Sequence, residues 1–399
     1  MRTTKKSIPL SAPTFGSDEI CAAIETMLST NVTMGKNVEK FEKEFASYVG
    51  AEEAIMVNSG SSANLIAMSI LSNPTTPNHL RRDDEVIVPA VTWSTSIFPI
   101  INIGCIPVLV DVERDSYNMN PDLVEEAITP RTKAIVAVSL LGNPCDLLKL
   151  DKIAKRHGLF LIEDACESHG ALIGKRKVGT FGFLSSFSFF FSHHISTMEG
   201  GMVLTDNEAT ADLARIMRAH GWIREVKSRR GISRQFPGID ERFLFLNLGF
   251  NLRPTEVQAA FGLQQIKKLE KFIEIRRFNS KYWNDRLRRY ADYLMLPEEK
   301  SGTRHVFFGY PITVKPGAPF KKRDIVEFLE AKGIETRPIM AGNMAEQPAL
   351  GLFEHRIAGD LAVSRSVMRN SFFIGNHHAI QEKEREYVSD SFDQFMRNV

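Results

Sequence analysis

With 399 residues the chain is long enough to bury one large core and a smaller second one. Its composition, 43% hydrophobic and 25% charged with a net charge of +2, is that of a globular protein and lacks the concentrated basic balance that nucleic-acid binding requires. No apolar run reaches bilayer length, and the basic start from Met1 has no apolar stretch of the kind an export signal needs, so the expected setting is cytoplasmic, without membrane or nucleic acid as partner.

Between residues 53 and 205, short β-branched runs at 54–57, 85–88, 106–110, 134–138 and 159–162 alternate with stretches of helical spacing such as 61–71 and 146–155. This alternation predicts an α/β fold with a largely parallel sheet covered by helices on both faces. Ligands of such sheets bind beyond the strand carboxyl ends, so the residues just after each run are the ones to read for chemistry. The basic, turn-rich segment 227–234 reads as an exposed loop. Residues 264–293 have the pattern of a long charged helix leading to a second unit, where 307–314 predicts a strand and 322–332 a helix stopped by Gly333. The expected division is a large domain over 1–263 and, from the linking helix onward, a small α+β domain over 264–399.

Four cysteines, Cys21, Cys105, Cys145 and Cys166, stand 84, 40 and 21 residues apart. No paired spacing suits a zinc site, and no close group suits an iron–sulfur cluster, so they read as isolated buried thiols and no metal is expected.

Three segments carry candidate chemistry. Residues 58–64, Asn-Ser-Gly-Ser-Ser-Ala-Asn, come directly after one apolar run and open a helix, so backbone N–H groups and the Ser61 and Ser62 hydroxyls converge at a helix N-terminus, a natural anion site. An ordinary helix cap explains the same serines. Asp164 ends the run at 159–164, where its carboxylate is placed to keep a pyridinium nitrogen protonated or to cap a helical turn after the strand. Trp93, after the 85–88 run, suits stacking on a flat ring or plain burial.

The stretch 186–201, Ser-Phe-Ser-Phe-Phe-Phe-Ser-His-His-Ile-Ser-Thr-Met-Glu-Gly-Gly, makes the picture specific. With the 58–64 segment, Glu-Asp-Ala-Cys-Glu-Ser-His-Gly at 163–170 and Gly-Phe-Asn-Leu-Arg-Pro-Thr-Glu at 249–256, it resembles the DegT/DnrJ/EryC1/StrS sugar aminotransferase family, motif by motif in order along nearly the whole chain. The resemblance implies a fold-type I vitamin B6 enzyme fold and a homodimer with shared active sites. Members that transaminate carry a lysine six residues before the Glu-Gly-Gly, and here that position is His193, with no lysine anywhere between Lys177 and Lys227. An imidazole cannot tether pyridoxal phosphate covalently, yet its ordinary pKa near 6.5 suits proton transfer.

The His193–His194 pair resembles the sugar 3-dehydratases of the family, and the cysteine spacing leaves only their branch without an iron–sulfur cluster. That likeness implies pyridoxal or pyridoxamine 5′-phosphate bound without a covalent tether and L-glutamate as co-substrate. It also implies a sugar nucleotide of the GDP-4-keto-6-deoxy-D-mannose type that loses its 3-hydroxyl. Carried over residue by residue, His193 is the base, while Ser61, Ser62, Trp93, Asp164, Glu167 and Ser188 hold the cofactor. Asn251 and Arg253 would reach the site from the neighbouring subunit. Arg224 and Arg337 are candidate partners for a diphosphate or carboxylate, or ordinary surface cations. A 4-aminotransferase using histidine in lysine's place, and a non-catalytic regulator on the same fold, are the competing readings.

Overall fold

The computed structural model describes residues 7–226 and 229–399; the basic start before Ser7, and Lys227 with Ser228 of the basic loop, lie outside the described residues. The first five strands, β1 (Glu53–Val57), β2 (Glu85–Pro89), β3 (Ile106–Val110), β4 (Thr132–Val138) and β5 (Phe160–Asp164), fall on the five apolar runs. A short ribbon, β6 (Leu172–Ile173) and β7 (Arg176–Lys177), precedes β8 (Leu184–Ser188) and β9 (Gly201–Thr205). Six more strands complete the set: β10 (Leu294–Met295), β11 (Thr303–Arg304), β12 (Gly309–Val314), β13 (Thr336–Pro338), β14 (Arg356–Ile357) and β15 (Ser371–Gly375).

Eight of them form one sheet in the order β1-β9-β8-β5-β4-β2-β3-β14. Every pairing is parallel except those of β9, which runs against both β1 and β8. Alternate side chains enter opposite cores: Ile87 and Ile135 pack on one face with Phe41 and Phe45, and Val86, Val88 and Val136 on the other with Ile66 and Ile70. This is the two-sided burial that a parallel sheet demands. The same alternation organises β8. Phe187 points into the core, edge-on to Phe45 at 5.1 Å, and Phe189 beyond it does likewise at 5.1 Å, each contact stabilising by about 0.5–1.5 kcal/mol. Ser186 and Ser188 are thereby left on the opposite side.

A second sheet, β10-β12-β15-β13, builds the small domain around Trp283, Tyr310, Phe372 and Phe392. Ile8 is buried in this core and pairs with Ile334, so the N-terminal segment belongs to its packing. The helix expected over 264–293 is divided. Glu256–Gln265 ends first, a 3-10 turn spans Ile266–Lys268, and Leu269–Leu287 runs on. The earlier helix was missed because most of its residues, from Ala259 to Leu263 included, are buried, which erases the amphipathic contrast. Leu269, Phe272 and Ile273 pack in the core of the large sheet, Trp283 and Leu287 in that of the small one. The strand expected from 307 begins at Gly309, since Phe307 takes a left-handed φ of 47° that no strand accommodates.

Candidate active site

The strand ends converge on a cavity of about 630 Å³ between the large sheet and the small domain. One side is the N-terminus of the Gly60–Leu71 helix, capped by Ser59, whose hydroxyl accepts from Ser62 N–H at 3.1 Å. Glycine at 60 is required by close approach: a Cβ there would meet Ser188 Cβ at 2.4 Å and Oγ at 2.7 Å. The helix start and the end of β8 therefore present the first-turn N–H groups and the Ser59, Ser61 and Ser188 hydroxyls to one point, an anion cradle.

Asp164 lies deeper, as the last residue of β5. Its Oδ2 accepts from Asn64 Nδ2 at 2.9 Å and Ser96 Oγ at 2.7 Å, and Oδ1 from Cys166 N–H at 3.2 Å. Asn64 is held in turn by the Ser186 hydroxyl. Trp93 stands at the rim, 57% exposed, with its ring free for a flat ligand. Glu167 also lines the cavity and accepts from Leu141 N–H at 2.6 Å. Burial, which outweighs that bond, pushes its carboxyl up to about 8, so it is neutral at pH 7.

His193 sits on the 189–200 loop after β8. The loop is tied at its root by Phe189 N–H to Gly200 O at 2.8 Å and Thr197 N–H to Phe189 O at 2.9 Å. The imidazole lines the cavity with Nδ1 enclosed and without a partner, which leaves Nε2 as the nitrogen open to a ligand. Burial first, and the Arg276 cation second, push the imidazole down to about 3, so His193 is uncharged throughout the physiological range. His194 is fully buried, its Nε2 against Val306 O at 3.1 Å. Among the described residues, no lysine lines the cavity.

The structure brings His193, Ser61, Trp93, Asp164, Glu167, Ser188 and Arg337 to this one cavity. Ser62 does not line it; its hydroxyl donates to Asn58 Oδ1 at 2.6 Å. Arg224, Asn251 and Arg253 form a separate group. Arg253 Nε donates to Asn251 Oδ1 at 3.0 Å, and the Arg224 and Arg253 guanidinium carbons lie 5.4 and 6.0 Å from the Trp222 ring centre. Ser59, Asn64, Ser96, Phe308 and Met340 are site residues that sequence reasoning passed over. Ser59 and Asn64 stood inside the 58–64 segment, and Ser96 within the run around Trp93, so their signal was present. Phe308 and Met340 had none.

Cys105 and Cys145 are buried, their thiols pushed up to about 12 by desolvation, and Cys166 lines the cavity. Cys21 is exposed on the Ser17–Leu28 helix, contrary to the expectation of four buried thiols. Among the described residues, no group of three or more His, Cys, Asp or Glu side chains is placed to hold a metal ion, and no helix is long and apolar enough to cross a membrane.

A cradle for phosphate, a carboxylate at a strand end and an aromatic face are one donor set for a phosphorylated heteroaromatic ring. The model of the DegT/DnrJ/EryC1/StrS aminotransferase family matches residues 13–393. The chain belongs to this family. It is 38% identical over 381 residues to GDP-4-keto-6-deoxy-D-mannose 3-dehydratase of Yersinia pseudotuberculosis, covering 94% of this chain and 96% of that one. It is 37% identical to dTDP-4-dehydro-2,6-dideoxy-D-glucose 3-dehydratase of Saccharopolyspora spinosa, covering 95% and 84%. A crystal structure of GDP-4-keto-6-deoxymannose-3-dehydratase with a trapped PLP-glutamate geminal diamine superposes with a TM-score of 0.89 at 35% identity, covering 96% of this chain and all of that one.

Proposed function

We propose that this chain is a vitamin B6-dependent sugar-nucleotide 3-dehydratase acting on a GDP-4-keto-6-deoxy-D-mannose-type substrate with L-glutamate as co-substrate. The observation that carries the reading is His193: it stands at the family's lysine position and faces a cavity with no lysine in its lining among the described residues. In net terms, glutamate is oxidised to 2-oxoglutarate with release of ammonia, the sugar is reduced at C3, and its 3-hydroxyl leaves as water.

Pyridoxamine phosphate supplies the amine and the electron sink when bound. The chain's own residues do the rest. The first turn of the Gly60–Leu71 helix with Ser59, Ser61 and Ser188 holds the phosphate, and Asp164, fixed by Asn64 and Ser96, keeps a proton on the ring nitrogen. Trp93 covers a ring face, and Glu167 offers a neutral carboxyl in the same cavity. His193 accepts a proton at Nε2 and delivers it to the departing 3-hydroxyl. Burial first, and Arg276 second, favour the uncharged imidazole, the form able to accept a proton.

The working form in this reading is a homodimer. Phe243 and Leu248, 62% and 85% exposed, stand shortly before Asn251 and Arg253 in the chain, and these two lie apart from the cavity of their own chain. Both features suit a surface that completes the partner's site.

The deciding experiment supplies pyridoxal phosphate, L-glutamate and GDP-linked 4-keto-6-deoxy sugar, with the dTDP-linked sugar in parallel. A sugar product short of one oxygen, with free ammonia, is expected. A product that keeps nitrogen at C4 would make the chain an aminotransferase, and no glutamate-dependent spectral change in the cofactor would make it a non-catalytic relative.

A further inference from the structure

Behind the His193 imidazole lies a group that the reaction scheme leaves unused. Arg276, on the Leu269–Leu287 helix, is 3% exposed, and no carboxylate pairs with it among the described residues. A buried cation without a counter-charge is an unfavourable arrangement that calls for a compensating role. Its guanidinium is held instead by carbonyls: Nη1 donates to Phe308 O at 2.7 Å, to Phe307 O at 3.4 Å and to Asn376 O, while Nε has no partner.

Those carbonyls include two in the segment that crosses from the large domain into β12. Val306 N–H and Phe308 N–H donate to Gly142 O and Leu141 O, both at 2.9 Å, in the turn whose Leu141 N–H holds Glu167. Val306 O contacts His194 Nε2, and the Phe308 ring lies 5.3 Å from His193 and 6.0 Å from His194. The left-handed φ of Phe307 shows that this turn is held against its own preference.

We propose that Arg276 is a positioning residue for His193: it pins the Phe307–Phe308 backbone so that the Phe308 ring keeps the imidazole set in the cavity wall. The same cation faces a nest of imidazoles. His169 is fully buried, 6.0 Å from His193 and 5.6 Å from His194 between ring centres. After burial itself, the Arg276 charge acts on His193 and His194 to favour the neutral form. His169 is held neutral by burial, then by His193 and Arg276. Among the described residues, the acidic groups sharing the cavity with His193 are Asp164, Glu167 and Glu199, and none forms an ion pair with His193 or Arg276. One guanidinium thus holds the backbone that positions the imidazole and, after burial, adds to the preference for its neutral form.

This inference rests on His193 being the base, so its test reads the imidazole directly as well as turnover. The full-length protein with pyridoxal phosphate, labelled with ¹³C-histidine, is titrated by NMR, the His193 signal being assigned by its absence in His193→Gln. In Arg276→Met the His193 midpoint is expected to rise by at least about one pH unit. Turnover is expected to fall by about tenfold or more in Arg276→Met and in Phe308→Leu, with Arg276→Lys recovering part of the loss. An unchanged His193 midpoint in Arg276→Met overturns the proposal, as do wild-type rates in both Phe308→Leu and Arg276→Lys. Should Arg276→Met not fold, the latter two variants decide. Full activity of His193→Gln would refute the base assignment, while the titration would still report on Arg276.

Discussion

The floor of the cavity and its outer wall are built on opposite plans. The floor comes from strand ends of the large sheet, and its polar groups are bonded before any ligand arrives: Asp164 by Asn64, Ser96 and Cys166 N–H, Ser59 by Ser62 N–H, Glu167 by Leu141 N–H. The wall comes from Leu10, Phe308, Met340 and Phe373, with Arg337 as its charged member; Arg337 and Phe373 stand on β13 and β15 of the small sheet. A bonded floor fixes a common group in one pose; an apolar wall with one guanidinium supplies shape and charge for the variable part of a substrate. In the proposed reading the floor takes the cofactor and the wall the sugar nucleotide, so substitutions on the two sides should separate kinetically.

The sharpest break should come at His193, which belongs to the floor's loop. His193→Gln keeps the volume and loses the base, so kcat is expected to fall by about 10²–10⁴-fold with cofactor binding retained, checked by rapid-quench assay and by the cofactor's absorbance. Next is Asn64→Leu, which removes a donor from a buried carboxylate. A loss of about 1.5–3 kcal/mol in stability, read from the urea midpoint of the apo protein, is expected together with weaker cofactor binding. On the wall, Arg337→Ala should raise KM for the sugar nucleotide by about tenfold with kcat nearly unchanged, the mark of binding lost equally from ground and transition states. If Arg337→Ala instead lowers kcat as His193→Gln does, the separation of floor from wall fails. The smallest effect is expected at Glu167→Gln. A carboxyl raised to about 8 is protonated below that pH and ionises above it, so glutamine mimics its neutral form. Turnover near pH 7 should change by less than about fivefold, equivalent to about 1 kcal/mol, and any alkaline limb due to this group should flatten.

The same contrast decides what was legible in the sequence. The five parallel strands announced themselves because two-sided burial makes their runs largely apolar, and floor residues come directly after those runs, so Ser61 and Asp164 could be read from position, while Glu167 came from the family resemblance alone. The end of β8 was legible as a site through the His193 register, whereas β8 itself, whose apolar run is broken by Ser185, Ser186 and Ser188, was not among the expected strands. Hydroxyl direction was not legible: Ser61 and Ser62 are neighbours on a helix start, and only the Asn58 side chain, which takes up the Ser62 hydroxyl, tells them apart. Phe308, Met340 and Arg276 were silent because each acts through contacts to residues more than thirty positions away, in segments whose local pattern is that of ordinary core or connection. Arg276 in particular stands among basic residues that read as a solvated face.

Strand β14 lies in sequence between β13 and β15 of the small sheet, yet it pairs with β3 of the large one, where Arg356 clamps the fully buried Glu85 with bonds of 2.8 and 3.1 Å. The chain therefore enters the small domain, leaves it to close the edge of the large sheet and goes back, while Ile8 has already crossed from the other end. A thread stitched this way cannot be drawn out of one core without loosening the other. The two cores should share a single cooperative melting transition, and a cut at the linking helix would give two halves that each lack a segment held by the other.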